Sequence, residues 1–138
     1  PSGKMLPVLE DGQLIRVHTA AYDSTPVARG DIILIEQPGD KGYLVKFVKA
    51  IPGDTLALSE QPNGSYVLVN GETLANSEGE PYLLPANRSA MLALYVRDYG
   101  VIPEGAYLVL GNRATGSDDS TVFGLVDAER IKGRVLTE

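Results

Sequence analysis

The sequence has no cysteine, no tryptophan and a single histidine, His18. Without cysteine there is no disulfide framework, no thiol nucleophile and no thiolate metal site. One histidine cannot build a histidine metal cluster, so neither a metal nor any other cofactor is expected. A Ser-His-Asp triad would have to use His18, and its surroundings do not suggest one; His18 is expected on a strand or in the turn that follows. Long apolar runs are missing too. None approaches the roughly 20 residues of a membrane-crossing helix, and the first residues lack the apolar stretch of a signal peptide. As given, the chain reads as soluble. Positive charge is in deficit, with 12 Lys and Arg against 18 Asp and Glu and a net charge of −6. That balance argues against nucleic acid as a partner and against simple attraction to an anionic membrane surface.

What is present points to a β-rich domain. The 138 residues fit one domain, and 43% hydrophobic residues can fill a core. The 15 glycines and 9 prolines are spread along the chain, as expected for many short elements joined by turns. Leu14 to Val17 reads as a short strand, followed by a turn-rich stretch to Gly30. Residues 31–36, DIILIE, form a compact apolar run suited to a buried strand. Residues 39–42, GDKG, supply the turn into a second strand, YLVKFVKAI, at 43–51. Thr55 to Ser59 reads as a strand. Asn70-Gly71, between two β-type runs, predicts a hairpin with a type I′ turn. Asn76 to Pro85 reads as a loop, and Asn87 to Tyr95 as either helical turns or a strand. Ala106 to Gly111, Val122 to Val126 and Ile131 to Leu136 read as strands, with a polar loop over 111–120.

The strand at 43–51 raises a chemical question. Period two puts Tyr43, Val45, Phe47 and Lys49 on one face and Leu44, Lys46 and Val48 on the other. Lys46 therefore sits between two apolar side chains. Two readings are open: an edge lysine whose stem packs while its ammonium reaches water, or a buried lysine whose pKa is lowered by desolvation.

Three stretches in this order, PSGKMLPVL at 1–9, VKFVKAIPGD at 45–54 and GNRATGSDDS at 111–120, resemble the boxes of the type I signal peptidases. These are membrane-anchored serine endopeptidases that work with a serine–lysine pair. The first box, P-S-x-S-M-x-P-T-L, is matched by Pro1, Ser2, Met5, Pro7 and Leu9. Gly12 to Val17 follows it, and R-G-D-I appears as Arg29 to Ile32. The lysine box is matched by Lys46 and by Pro52-Gly53-Asp54. The last box is matched by Gly111, Asn112, Arg113, Ser117, Asp119 and Ser120. The resemblance runs over nearly the whole chain. It implies a mainly β, compact antiparallel fold, barrel- or sandwich-like, with short hairpins and little helix, as a single domain over 1–138.

The resemblance also implies roles. Lys46 would be the general base, and Ser117 would orient its amine. Asp119 would support the loop that carries Ser117. Ser2 would donate to the oxyanion hole, and Met5 and Pro7 would lie at the substrate cleft. The partners implied are signal peptides of exported preproteins and the membrane, the latter through an N-terminal anchor that is absent here. The location implied is the extracytoplasmic face of the cytoplasmic membrane. One position departs from the pattern: Lys4 stands where the family has its nucleophilic serine. An acyl-lysine would be a stable amide, so Lys4 cannot turn over as an acyl carrier. Two ammonium groups about 4 Å apart repel by about 4 kcal/mol at an effective dielectric of about 20, so Lys4 is expected to swing outward. The aspartate expected after Gly111 is missing, and Thr121 replaces the arginine that ends the box.

Two principal readings follow. One is a signal peptidase whose serine has been changed to lysine and whose anchor has been removed, with little or no activity. The other is a natural non-catalytic homologue that binds peptides or assists assembly of exported proteins. A self-cleaving repressor-type Ser-Lys peptidase fits the Pro-Gly-Asp turn and the last box poorly. Ser2 as a displaced nucleophile would require a local rearrangement.

Overall fold

The computed structural model describes residues 16–37, 39, 42–112, 114 and 119–136. The strands are β1 (Arg16–His18), β2 (Ile32–Glu36), β3 (Tyr43–Ala50), β4 (Leu56–Gln61), β5 (Gly64–Val69), β6 (Glu72–Thr73), β7 (Leu83–Leu84), β8 (Ala106–Leu110), β9 (Val126–Asp127) and β10 (Ile131–Leu136). Two α-helices, α1 (Ala86–Asp98) and α2 (Ser120–Phe123), interrupt them. All strand pairings are antiparallel. One sheet has the order β1-β10-β2-β3-β8-β9; the other has β4-β5-β6 with β7 also on β5. The mainly antiparallel β fold implied by the resemblance is thus observed, as two sheets and not as a closed barrel among the described residues.

The apolar run of β2 and the long β3 pair over five positions, with Ile33 opposite Lys46 and Ile35 opposite Leu44. Directly opposed residues share a face. Ile33, Ile35, Val48 and Val109 form one buried cluster with half-buried Leu44, and Val45, Phe47, Ile32 and Leu34 form another on the opposite face. Cover on both faces explains why these strands read as continuous apolar runs without strict alternation. β3 then bulges between Val48 and Ala50 where it meets β8. Beyond the bulge, Ala50 joins the largest cluster, with Leu56, Val67, Tyr82, Leu84, Leu92, Leu108 and Leu110. That cluster ties the two sheets together.

Two backbone positions depend on their residue type. Asn70 and Gly71 have φ of 53° and 83°, and β5 continues into β6 with Val69 opposite Glu72. This is the predicted type I′ hairpin. At Gly133 a Cβ would lie 2.6 Å from Val17 Cγ1 and 2.8 Å from the His18 carbonyl oxygen. Glycine there lets β1 close on β10. His18 ends β1 and is exposed.

Two expected elements are corrected. The closing strand over Val122 to Val126 begins as a helical turn, α2, and only Val126 and Asp127 are extended. The Asp119 carboxylate accepts from the Thr121 N–H at 2.9 Å and from the Thr121 hydroxyl at 2.6 Å. This side-chain cap overrides the β preference of Thr121 and Val122. The loop over Asn76 to Pro85 contains β7, paired to β5 through Ser65 and Tyr66, and Tyr82, which is fully buried. The undecided stretch around Asn87 to Tyr95 is helical. It is rich in Ala, Leu and Met, starts after Pro85 and stops at Gly100, whose φ is 69°.

The turn after β3 is held by Asp54. Its Oδ2 accepts from the Ile51 N–H at 3.0 Å and lies 3.1 Å from Arg29 Nε, while its Oδ1 accepts from Asn70 Nδ2 at 3.0 Å. Asp54→Ala strands these donors. It should cost about 2–3 kcal/mol, read as a lower urea midpoint with an unchanged m-value.

Candidate active site

Lys46 has no solvent exposure and is among the largest fully buried side chains. Of the two placements its strand pattern allows, the structure has the buried one. In the sheet β2 flanks β3 on one side and β8 on the other, with Ile33 opposite Lys46 and Val109 opposite Val48. The face that Lys46 shares is therefore aliphatic.

Asp119 is also fully buried. Besides capping α2, its Oδ2 accepts from the Gly111 N–H at 2.9 Å. It thereby joins the two ends of the polar loop that separates β8 from α2. Ser120 follows it, buried, and its hydroxyl accepts from the Val109 N–H at 2.9 Å. Tyr82 grips the same peptide region from the other sheet: its hydroxyl donates to the Gly111 carbonyl at 2.6 Å. Next along the chain, Asn112 Nδ2 donates to the Ser77 hydroxyl at 2.8 Å and Asn112 Oδ1 accepts from the Ser77 N–H at 2.9 Å. Asn76 Nδ2 donates to the Asn112 carbonyl at 3.0 Å. Residues 76–82 thus clamp residues 111–112, and Asp119 fixes the loop's far end.

On the opposite face of β3, Lys49 donates to the Ala75 carbonyl at 3.0 Å. Its ammonium lies over the rings of Phe47 and Tyr82, 5.1 and 5.5 Å from their centroids. Burial lowers its pKa.

Of the residues predicted for the site, the structure places Lys46 in the β3 core and Asp119 at the cap of α2. Ser2, Lys4, Met5, Pro7 and Ser117 lie outside the described residues, as does the expected outward swing of Lys4. Sequence reasoning missed Tyr82, Asn76 and Thr121. Asp119-x-Thr121 is a local cap pattern that could have exposed the helical turn. Tyr82 carries no comparable signal, because its partner is 29 residues away. Among the described residues no cluster of His, Asp and Glu is arranged to hold a metal ion. No helix among them is long and apolar enough to cross a membrane.

The two antiparallel sheets, with a lysine buried on an inner strand, have the architecture of signal peptidase I. A signal peptidase I from Enterococcus faecalis V583 superposes with a TM-score of 0.54 at 29% identity, covering 80% of this chain and 97% of that one. The sequence is 32% identical to signal peptidase I of Bacillus caldolyticus over 139 residues, which is 95% of this chain and 71% of that protein. It is also 32% identical to signal peptidase IB of Staphylococcus aureus strain COL over 143 residues, 95% of this chain and 70% of that protein. Residues 1–137 match the family model for signal peptidase, peptidase S26. The chain belongs to this family.

The tyrosine clamp gives a pH signature. Burial first, then the nearby Asp119 charge, disfavours ionisation of Tyr82 and raises its pKa above the ordinary 10.0. The folded protein keeps a proton that the unfolded chain loses, so stability falls as pH rises past that value. Tyr22 contributes in the same direction, through burial first and then its 2.7 Å hydrogen bond to Asp31. Lys49, lowered by burial, contributes the opposite slope. Tyr82→Phe should cost about 1 kcal/mol at neutral pH and make the alkaline decline shallower. Urea midpoints of both proteins, taken at neutral pH and at several alkaline values, check this; an unchanged alkaline slope contradicts it.

Proposed function

We propose that this chain is a signal peptidase I-type serine endopeptidase domain, built to cleave signal peptides from exported preproteins, whose turnover is blocked by Lys4. The observation that carries the reading is the complete burial of Lys46 on the inner face of β3. Taking an ammonium out of water favours its neutral form. A neutral amine near pH 7 is what a general base needs to take the proton from a hydroxyl as that hydroxyl attacks a peptide carbonyl. Family membership supports the substrate class, since the relatives are named as signal peptidases. By the resemblance, Ser117 orients the Lys46 amine, Ser2 donates to the oxyanion hole, and Met5 and Pro7 border the cleft. Asp119 supports the loop, in keeping with its bond to Gly111 N. The domain works at the extracytoplasmic face of the cytoplasmic membrane, anchored in a full-length protein. Lys4 occupies the nucleophile's position, and a lysine there gives no hydrolysable acyl-enzyme.

The identity of Lys4 also favours a second reading, a natural non-catalytic homologue that binds the signal peptides of exported proteins. One experiment separates the two. The chain, Lys4→Ser, and Lys4→Ser with Lys46→Met are incubated in detergent with a peptide bearing an Ala-x-Ala cleavage site. The expected result is no cleavage by the unmodified chain, cleavage by Lys4→Ser, and loss of that cleavage when Lys46 is replaced. A general base contributes about 10²–10⁴-fold, so the last loss should be at least that large. Peptide binding by all three without any cleavage gives the binding reading. Cleavage by the unmodified chain overturns the role assigned to Lys4.

A further inference from the structure

Two of the asparagines in this sequence precede glycine, Asn63 and Asn70. Glycine offers the least steric obstacle to attack by its backbone nitrogen on the preceding side-chain amide. Both lie at hairpins of the same sheet: Asn63 is in the turn after β4 and Gly64 opens β5 opposite Gln61, whereas Asn70 and Gly71 form the turn after β5. Their side chains are treated differently. Asn70 Oδ1 accepts from the Thr55 N–H at 2.9 Å and from the Thr55 hydroxyl at 3.4 Å. Asn70 Nδ2 donates to Asp54 Oδ1 at 3.0 Å. Its amide cannot turn toward Gly71 N without breaking these bonds. Asn63 is exposed, and its side chain has no hydrogen bond among the described residues. It borders an open cleft of about 450 Å³ with Glu60, Ser65 and Ser89.

We propose that Asn63 is a site of spontaneous deamidation and isomerisation, and that the fold protects the same dipeptide at Asn70. In the step, the Gly64 nitrogen loses its proton and attacks Asn63 Cγ. A C–N bond forms, the Cγ–Nδ2 bond breaks, and ammonia leaves with the proton. Water then opens the cyclic imide at either carbonyl, giving an isoaspartyl or an aspartyl residue. The net change is water in and ammonia out. The product places a new carboxylate beside Glu60. In its isoaspartyl form it also lengthens the backbone in the turn that sets the β4–β5 register. That turn has little slack, because the Leu84 carbonyl oxygen lies 2.6 Å from where a Cβ on Gly64 would stand.

The test uses the unmodified chain. It is aged at mildly alkaline pH in native buffer and, separately, in denaturing urea. Peptide mapping by mass spectrometry, with separation of aspartyl from isoaspartyl forms, follows both sites. In the folded protein Asn63 should convert several-fold faster than Asn70, and in urea the two rates should converge. An Asn63→Gln variant should lose the early product and leave the slow Asn70 conversion unchanged. Equal rates at the two sites in the folded protein overturn the proposal. So does a rate gap that persists unchanged in urea, because sequence and not fold would then be its cause.

Discussion

The buried carboxylate of Asp119 is the contact on which the site's framework depends. It is removed from water, so its charge must be met by donors at fixed places. The chain supplies Gly111 N, Thr121 N and the Thr121 hydroxyl. Three consequences follow. The chain after Asp119 turns into a helix instead of a strand. The end of β8 and the start of α2 are drawn together. The negative charge that results makes it harder for Tyr82 to ionise, and the neutral Tyr82 hydroxyl donates to the carbonyl of the same Gly111 whose N–H Asp119 holds.

A second carboxylate, Asp54, does comparable work elsewhere. It links Arg29 before β2, Ile51 at the end of β3 and Asn70 in the β5–β6 turn. Backbone bonds run beside it: Gly30 N–H donates to the Val48 carbonyl and Val48 N–H to the Asp31 carbonyl, both at 2.8 Å. The Arg-Gly-Asp and Pro-Gly-Asp stretches are therefore held to one another, and neither carboxylate is needed for chemistry to explain its place. The lysine strand runs between these two anchors. On it Lys46 shares a face with the aliphatic cluster of Ile33 and Val48, and Lys49, at the bulge, lies over Phe47 and Tyr82.

Burying a lysine costs stability unless the group is neutral or well partnered. Lys46 lies beyond the reach of solvent, a setting that suits the general-base role proposed for it. Under that proposal, Lys4 stands where the hydroxyl that Lys46 would serve is expected. The other sheet shows a contrast of its own: one Asn-Gly turn is tied down by Thr55 and Asp54, and the other is open to water.

Much of this was legible from residue order alone. The apolar runs of β2 and β3 and the Asn70-Gly71 turn are local patterns that local sterics and periodicity determine, and the spaced boxes were legible as a resemblance to the family. The sequence also singled out Lys46 by its two apolar flanks, though it left open whether the ammonium reaches water. Tertiary structure decided that question, because exposure of Lys46 is set by neighbours distant in sequence, such as Ile33 on β2, and not by its own flanks. It likewise decided the helical turn at Ser120 and the clamp of Tyr82 on Gly111, where partners distant in sequence, or a side chain competing with the backbone, outweigh intrinsic preference.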